Sequence, residues 1–215
     1  MEPEMKLLRE YIKELISEKK YNPPAEQDVP HGLSFSELRG HLSGHFGKAK
    51  ITLTDSPLDL KQSYNPEAGI MNKPAGLWYG CGTAWLDWLE TQALDGIGTQ
   101  VWSLKVDMSK VKSITSEKEL QRFSYMYADH SKYSHSGPTT MNWNKASQKF
   151  SGIECCPYPV SSDSKLQMKF DSKLQMKFLW YFALDVASGC IWDTSSITNS
   201  SLVAELKEDG WEVYV

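Results

Sequence analysis

Residues 73–90 read KPAGLWYGCGTAWLDWLE, and this stretch decides what kind of fold the chain can form. Its aromatic run, Gly76–Tyr79, is flanked by glycines, which is typical of a short strand. Tryptophans and leucines then recur at helical spacing, so a helix is predicted at 83–92. A strand that delivers an aromatic beside glycines and turns straight into a helix makes a narrow platform suited to a planar heterocycle. The alternative is an aromatic core strand with a tight turn.

The same mixture of short apolar runs and helical periodicity continues along the chain. Ser34 and Glu37 form a capping-box pattern that opens a helix through about His45. Further strands are predicted at 51–53, 101–106, 153–156, 180–184, 190–192 and 211–215, and further helices at 116–128, 143–150 and 201–208. The sequence therefore predicts an α+β class with a split antiparallel or mixed sheet, not a doubly wound parallel sheet.

The N-terminal part of the chain has a different character. Residues 4–19 form an amphipathic pattern, and Pro23 and Pro24 end it. We expect residues 1–47 to be a helical segment and linker, and residues 48–215 to be the α+β domain. The apolar stripe of the first helix faces either the core or a partner protein, because acidic residues on its polar face disfavour a membrane surface.

Charge and hydropathy exclude several classes of protein. The 23 basic and 27 acidic side chains give a net charge of −4, so wholesale binding to a nucleic-acid backbone is not expected. No apolar run approaches the roughly 18 residues of a membrane span, and the N-terminus does not resemble a secretory signal. We therefore expect a cytoplasmic protein with no membrane contact, whose four cysteines are reduced, buried thiols.

One repeat stands out. The octapeptide DSKLQMKF occupies 163–170 and recurs without change at 171–178. Two perfect copies indicate a recent short duplication or an assembly error, in an exposed hairpin connection that absorbs eight extra residues. We predict no catalytic or binding role for this segment.

The run GLWYG at 76–80, followed by a helix, resembles the second motif strand of ADP-ribosyltransferases, with Trp78 in place of the usual tyrosine. Later segments follow in a similar order. These are the strand VWSLKVDM, a run that ends at Glu154, and the closing strand SGCIWD at 188–193. The resemblance covers roughly residues 48–198.

The resemblance implies an ADP-ribosyltransferase-type sheet that binds NAD as substrate. In that family an aromatic of the second motif strand stacks on nicotinamide, and backbone amides hold its amide group. The first-strand His or Arg that grips NAD is missing here, and Thr54 and Asp55 are the hydrogen-bonding side chains at that position. The implied NAD-binding set is Thr54, Asp55, Gly76, Leu77, Trp78, Tyr79 and Gly80.

The catalytic position departs from the family. Its catalytic glutamate falls at Ser188, and serine cannot supply a negative charge. Either Glu154 on the neighbouring strand takes over this role, or the active site is divergent or inactive. From the residues alone, Glu154 reads equally well as a solvent-facing strand residue between Ile153 and Cys155.

Two functions are therefore expected from different classes. The first is an NAD-dependent transferase of the glycosyltransferase type, which moves ADP-ribose to a protein or nucleic-acid acceptor without a metal. Bacterial and phage toxins and host-modifying factors use this reaction. The second is a catalytically inactive module that keeps the fold as a binding surface, with the N-terminal helix docking onto a partner protein.

Overall fold

The strand at the heart of the quoted stretch lies in the middle of a mixed sheet. The computed structural model describes residues 32–69, 72–91, 98–129, 140–157, 179–182, 184 and 186–214. The predicted helix at 4–19 and the two octapeptides lie outside the described residues. The described residues belong to one compact unit, Gly32–Val215.

Eight strands occur among the described residues, and all belong to one sheet. They are β1 Lys50–Thr54, β2 Leu77–Cys81, β3 Gln100–Val106, β4 Val111–Ser113, β5 Gly152–Cys155, β6 Ser188–Ile191, β7 Ile197–Lys207 and β8 Gly210–Val213. Their order across the sheet is β4-β5-β6-β2-β1-β3-β7-β8. Only β4 and β5 are parallel, and the other neighbours are antiparallel. The expected α+β class is confirmed.

The described helices are short. They are α1 Phe35–Phe46, α2 Ala84–Thr91, α3 Glu117–Tyr127, α4 Trp143–Ser147 and α5 Leu179–Phe182. The predicted capping box at α1 is confirmed: Ser34 Oγ accepts from the Glu37 amide at 3.3 Å, and the Glu37 carboxylate accepts from the Ser34 amide at 2.8 Å. Local side chains therefore satisfy the first orphan amides of this helix.

One face of the sheet is covered by helices. At one end α1 and α2 bury Leu38, Leu42 and Leu86 in a cluster with Ile51 of β1 and Val203 of β7. At the other end an aromatic cluster lies against β5 and β6, with Phe123, Tyr127, Trp143, Trp180, Tyr181 and Trp192 as its large members. Aromatic side chains carry most of the apolar area in this second cluster.

The opposite face has a smaller core. Leu77, Tyr79, Leu104, Ile191 and Ile197 are buried there. The segment between β1 and β2 covers this face with Leu58 and Leu60. Both faces of β2 are therefore buried, which explains why its sequence is apolar throughout instead of alternating with polar residues.

Two predicted elements are wrong. Residues 180–184, expected to be a strand, begin within the four-residue helix α5, because a short continuous apolar run has no period that distinguishes a strand from a buried helix. Residues 201–208, expected to be a helix, lie mostly in the eleven-residue strand β7. Pairing with β3 along Gln100–Val106 supplies its hydrogen bonds, and tertiary pairing overrides the local helical pattern.

The capping box gives a prediction for stability. Ser34→Ala removes the side-chain acceptor of the Glu37 amide, so we expect the free energy of unfolding to fall by about 1 kcal/mol. Ser43→Ala is the control, since Ser43 is exposed inside the same helix and alanine favours the helix there. Chemical denaturation of both variants checks this, and equal effects would show that the cap contributes nothing.

Candidate functional site

A cavity of about 570 Å³ lies beside the start of β2, on the helix-covered face of the sheet. Three tryptophans line it: Trp78 from β2, and Trp85 and Trp88 from α2. The segment before β2 contributes Tyr64 and residues 73–76, and Leu184, Val186 and Ser188 close the far side. Its volume falls within the range that is typical of small-molecule sites.

Trp78 reaches this cavity because successive strand residues point to opposite faces. Its indole N–H donates to the carbonyl oxygen of Pro74 at 3.3 Å, which fixes the ring against the preceding segment. The Lys73 ammonium lies 5.8 Å from the centre of the indole ring, within range of a cation–π contact. The cavity therefore has an aromatic wall with a cationic group at its edge.

The helix α2 supplies the second aromatic wall. Trp85 and Trp88 are three residues apart on the helix, so they share a face. The turn before the helix depends on Gly82, whose φ of +60° is left-handed and whose amide donates to Ala49 at 2.7 Å. Arg39 of α1 then anchors the helix through Asp87 and Glu90, each at 3.0 Å.

Ser188 is the polar side chain of the far wall. It opens β6 directly opposite Gly80 of β2, and only 3% of its surface is exposed. Its hydroxyl donates to the carbonyl oxygen of Val186 at 3.0 Å. Ser188 is therefore a neutral hydroxyl whose hydrogen bond is already donated to the backbone.

Glu154 lies on the opposite face of the sheet. It pairs with Gly189 of β6, and Gly189 pairs in turn with Tyr79 of β2, so Glu154 and Tyr79 share the face that Trp78 does not. Glu154 is 6% exposed, which differs from the solvent-facing alternative. Its Oε2 accepts from the Tyr79 hydroxyl at 2.7 Å and forms an ion pair with Lys50.

A phenol and an ammonium group surround the Glu154 carboxylate. Burial, reinforced by the Glu154 charge, raises the pKa of Tyr79, so the phenol stays protonated and donates. The Lys50 ammonium also lies 5.0 Å from the centre of the Tyr79 ring. Glu154, Tyr79 and Lys50 thus form a buried, mutually satisfied group.

The structure brings together only part of the predicted site. Gly76, Trp78 and Ser188 line the cavity. Leu77 and Tyr79 point into the opposite core, while Gly80 packs under Trp85, where a Cβ would lie 3.0 Å from the Trp85 Cβ. Thr54 and Asp55 are not among the lining residues, and the Thr54 hydroxyl accepts from the Trp102 indole at 3.1 Å.

Several residues of the cavity and of the group around Glu154 were not predicted from the sequence. Lys50 and Tyr64 carried no motif, and only the fold brings them to their sites. The shared face of Trp85 and Trp88 could have been predicted, because the two residues are three positions apart in a predicted helix.

The cysteines divide into two classes. The prediction that all four are thiols is wrong for Cys81 and Cys156, which form a disulfide with their Cα atoms 6.3 Å apart. They are 75 residues apart in sequence, so only the register of β2, β6 and β5 brings them together. Cys155 and Cys190 are buried thiols as expected, and burial raises the pKa of both.

Comparison with family models, curated proteins and solved structures finds no match for this chain. Within the described ranges, none of the helices combines the length and the apolar character that crossing a membrane requires.

The contact between Tyr79 and Glu154 gives a second prediction. A Cβ at Gly189 would collide with the hydroxyl end of the Tyr79 ring and lie 2.9 Å from the Ile153 carbonyl oxygen. We expect Gly189→Ala to lower the free energy of unfolding by about 1–3 kcal/mol, the usual cost of overpacking.

The matched control is Gly40→Ala in α1, where an added Cβ meets nothing within 4 Å. It should raise the free energy of unfolding by about 0.5–1 kcal/mol, because alanine favours a helix interior. Denaturation of both variants measures the difference, and a neutral Gly189→Ala would contradict the packing described here.

Proposed function

We propose that this protein is a binding module with an ADP-ribosyltransferase-like strand arrangement, which holds NAD or a related nicotinamide nucleotide in the Trp78 cavity. One observation carries the proposal. Gly76, Trp78 and Ser188, the positions that the resemblance assigns to nicotinamide binding and catalysis, all line the same aromatic cavity. Trp78 lies in strand β2, Gly76 directly precedes that strand, and Ser188 lies in the neighbouring strand β6.

The cavity suits a flat, anionic ligand. Stacking of a planar ring on an indole contributes about 0.5–1.5 kcal/mol beyond the burial of apolar area. The ammonium of Lys73 at the edge supplies the charge that attracts a phosphate. Gly76 keeps the backbone close to β6, because a Cβ there would lie 2.6 Å from the Cys190 sulfur.

The polar groups of the cavity support binding without cleavage. Among the described residues that line it, none is an aspartate or a glutamate. Breaking the bond between nicotinamide and ribose develops positive charge on the ribose, and a preorganised negative group is the main means of stabilising that charge. Glu154, the candidate carboxylate, points into the opposite face and is paired with Lys50.

A second candidate is transfer of ADP-ribose from NAD to a protein or nucleic-acid acceptor. It is favoured by the adjacency of β5, β6 and β2, which sets the predicted closing strand beside the predicted nicotinamide strand. The expectations of a cytoplasmic location and of a toxin or host-modifying role belong to this candidate.

Ligand binding is tested by isothermal titration calorimetry with NAD and with nicotinamide mononucleotide. We expect Trp78→Ala to weaken binding tenfold or more, since the lost stacking and burial amount to about 1.4 kcal/mol or above. Trp78→Phe should keep part of the affinity, because it retains an aromatic face.

Trp102→Phe is the control, since Trp102 packs in the core of the opposite face and not in the cavity. Circular dichroism establishes that each variant is folded. Equal affinity of the parent and of folded Trp78→Ala, or no binding by the parent, would overturn the proposal.

The two candidates are separated by the release of nicotinamide. Purified protein is incubated with NAD and cell lysate, and free nicotinamide is followed by chromatography. A binding module releases none above the protein-free rate, and we expect this result for the parent and for Glu154→Gln. Release by the parent that is lost in Glu154→Gln would establish the transferase and assign its carboxylate.

A further inference from the structure

Three metal-ligating side chains converge at the ends of β2 and β5, on the face opposite the cavity. The sulfur atoms of Cys81 and Cys156 and a carboxylate oxygen of Glu154 all lie within 4.8 Å of one another. Glu154 is buried, whereas both cysteines are partly exposed. This group is separate from the site in the proposed function and does not depend on it.

The register of the sheet explains the convergence. Tyr79 and Glu154 both pair with Gly189 of β6, and each is followed two residues later by a cysteine on the same face. Strand β6 begins at Ser188, so beyond its end the two cysteines approach each other across Ala187, whose carbonyl oxygen accepts from the Cys81 amide at 3.0 Å.

The charges of this group differ between its two redox states. With the disulfide closed, the Glu154 carboxylate and the Lys50 ammonium balance each other. Reduction of the disulfide gives two neutral thiols, and loss of their protons places two negative charges beside a buried carboxylate. Uncompensated charges near the interior are unfavourable, and one divalent cation restores neutrality.

We propose that Cys81, Cys156 and Glu154 form a redox-gated site for a divalent cation of the zinc class. A thiol reductant opens the disulfide: two RSH become RS–SR, and their two electrons and two protons convert the bridge into two cysteine thiols. The cation then replaces those two protons, which pass to solvent as two metal–sulfur bonds form.

The surroundings of the carboxylate suit this role. Among the described residues, the two polar contacts of the Glu154 side chain end on Oε2, and Oε1 takes part in neither. A ligating carboxylate is usually oriented by hydrogen bonds from a second layer of residues, and the Tyr79 hydroxyl and Lys50 ammonium already occupy that position. Three protein ligands leave a fourth tetrahedral position for water.

Cobalt(II) is the probe, because its bonds to thiolate sulfur produce an intense charge-transfer absorption. The full chain is reduced with a phosphine, freed of reductant under anaerobic conditions and titrated with cobalt(II). We expect one equivalent to bind with that absorption, and zinc(II) to displace it. The oxidised protein should give no such absorption.

Variants assign the ligands. Cys156→Ser should abolish the charge-transfer absorption, and Glu154→Gln should weaken cobalt binding at least tenfold. Cys155→Ala and Cys190→Ala are the matched controls and should bind cobalt like the parent, because those buried thiols lie on the other face, in the aromatic cluster. Circular dichroism follows the fold throughout.

The proposal is overturned by any of four results. The reduced, folded parent gives no charge-transfer absorption, the absorption survives in Cys156→Ser, or reduction itself unfolds the chain so that no site exists. Unchanged affinity in Glu154→Gln would likewise remove the carboxylate from the ligand set and end the proposal as stated.

Discussion

The contact of the Tyr79 hydroxyl with Glu154 across Gly189 is the constraint on which both candidate sites depend. The phenol ring crosses β6 at the one residue that has no side chain, and its hydroxyl meets the carboxylate at 2.7 Å. This contact holds β2, β6 and β5 in a single register. The register in turn decides which side chains face the cavity and which face the disulfide.

The two faces of the sheet carry side chains of different chemical types. Side chains of β2 alternate between the faces, so Trp78 opens into the aromatic cavity while Tyr79 and Cys81 lie with Glu154. The cavity side therefore has aromatic rings, a hydroxyl and a lysine. The opposite side has a carboxylate, an ammonium and two sulfur atoms. Neighbouring residues of one short strand thus face two candidate sites whose side chains differ in chemistry.

Local signals explain what the sequence predicts well. The cap of α1 follows from side chains three residues apart, and the strand around Trp78 follows from its glycine-bounded aromatic run. The helix expected at 201–208 is wrong because partners a hundred residues away determine its structure. The Cys81–Cys156 bridge and the partners of Glu154 are non-local for the same reason. A periodic pattern contains no information about register between distant strands.

The position of Glu154 determines whether this carboxylate can act on a ligand in the cavity. To serve a ligand beside Trp78, the carboxylate would have to change faces, which requires β5 to slip by one residue. That slip would bring Ile153 and Cys155 out of the aromatic cluster and leave Lys50 without its partner. Losing one member of a buried ion pair costs about 3–5 kcal/mol. Among the described residues that line the cavity, the polar side chains include the Ser188 hydroxyl and the Lys73 ammonium, and none of them is a carboxylate. These groups support the proposal of nucleotide binding without cleavage, because none of the described lining side chains offers a negative charge to a cation forming on the ribose.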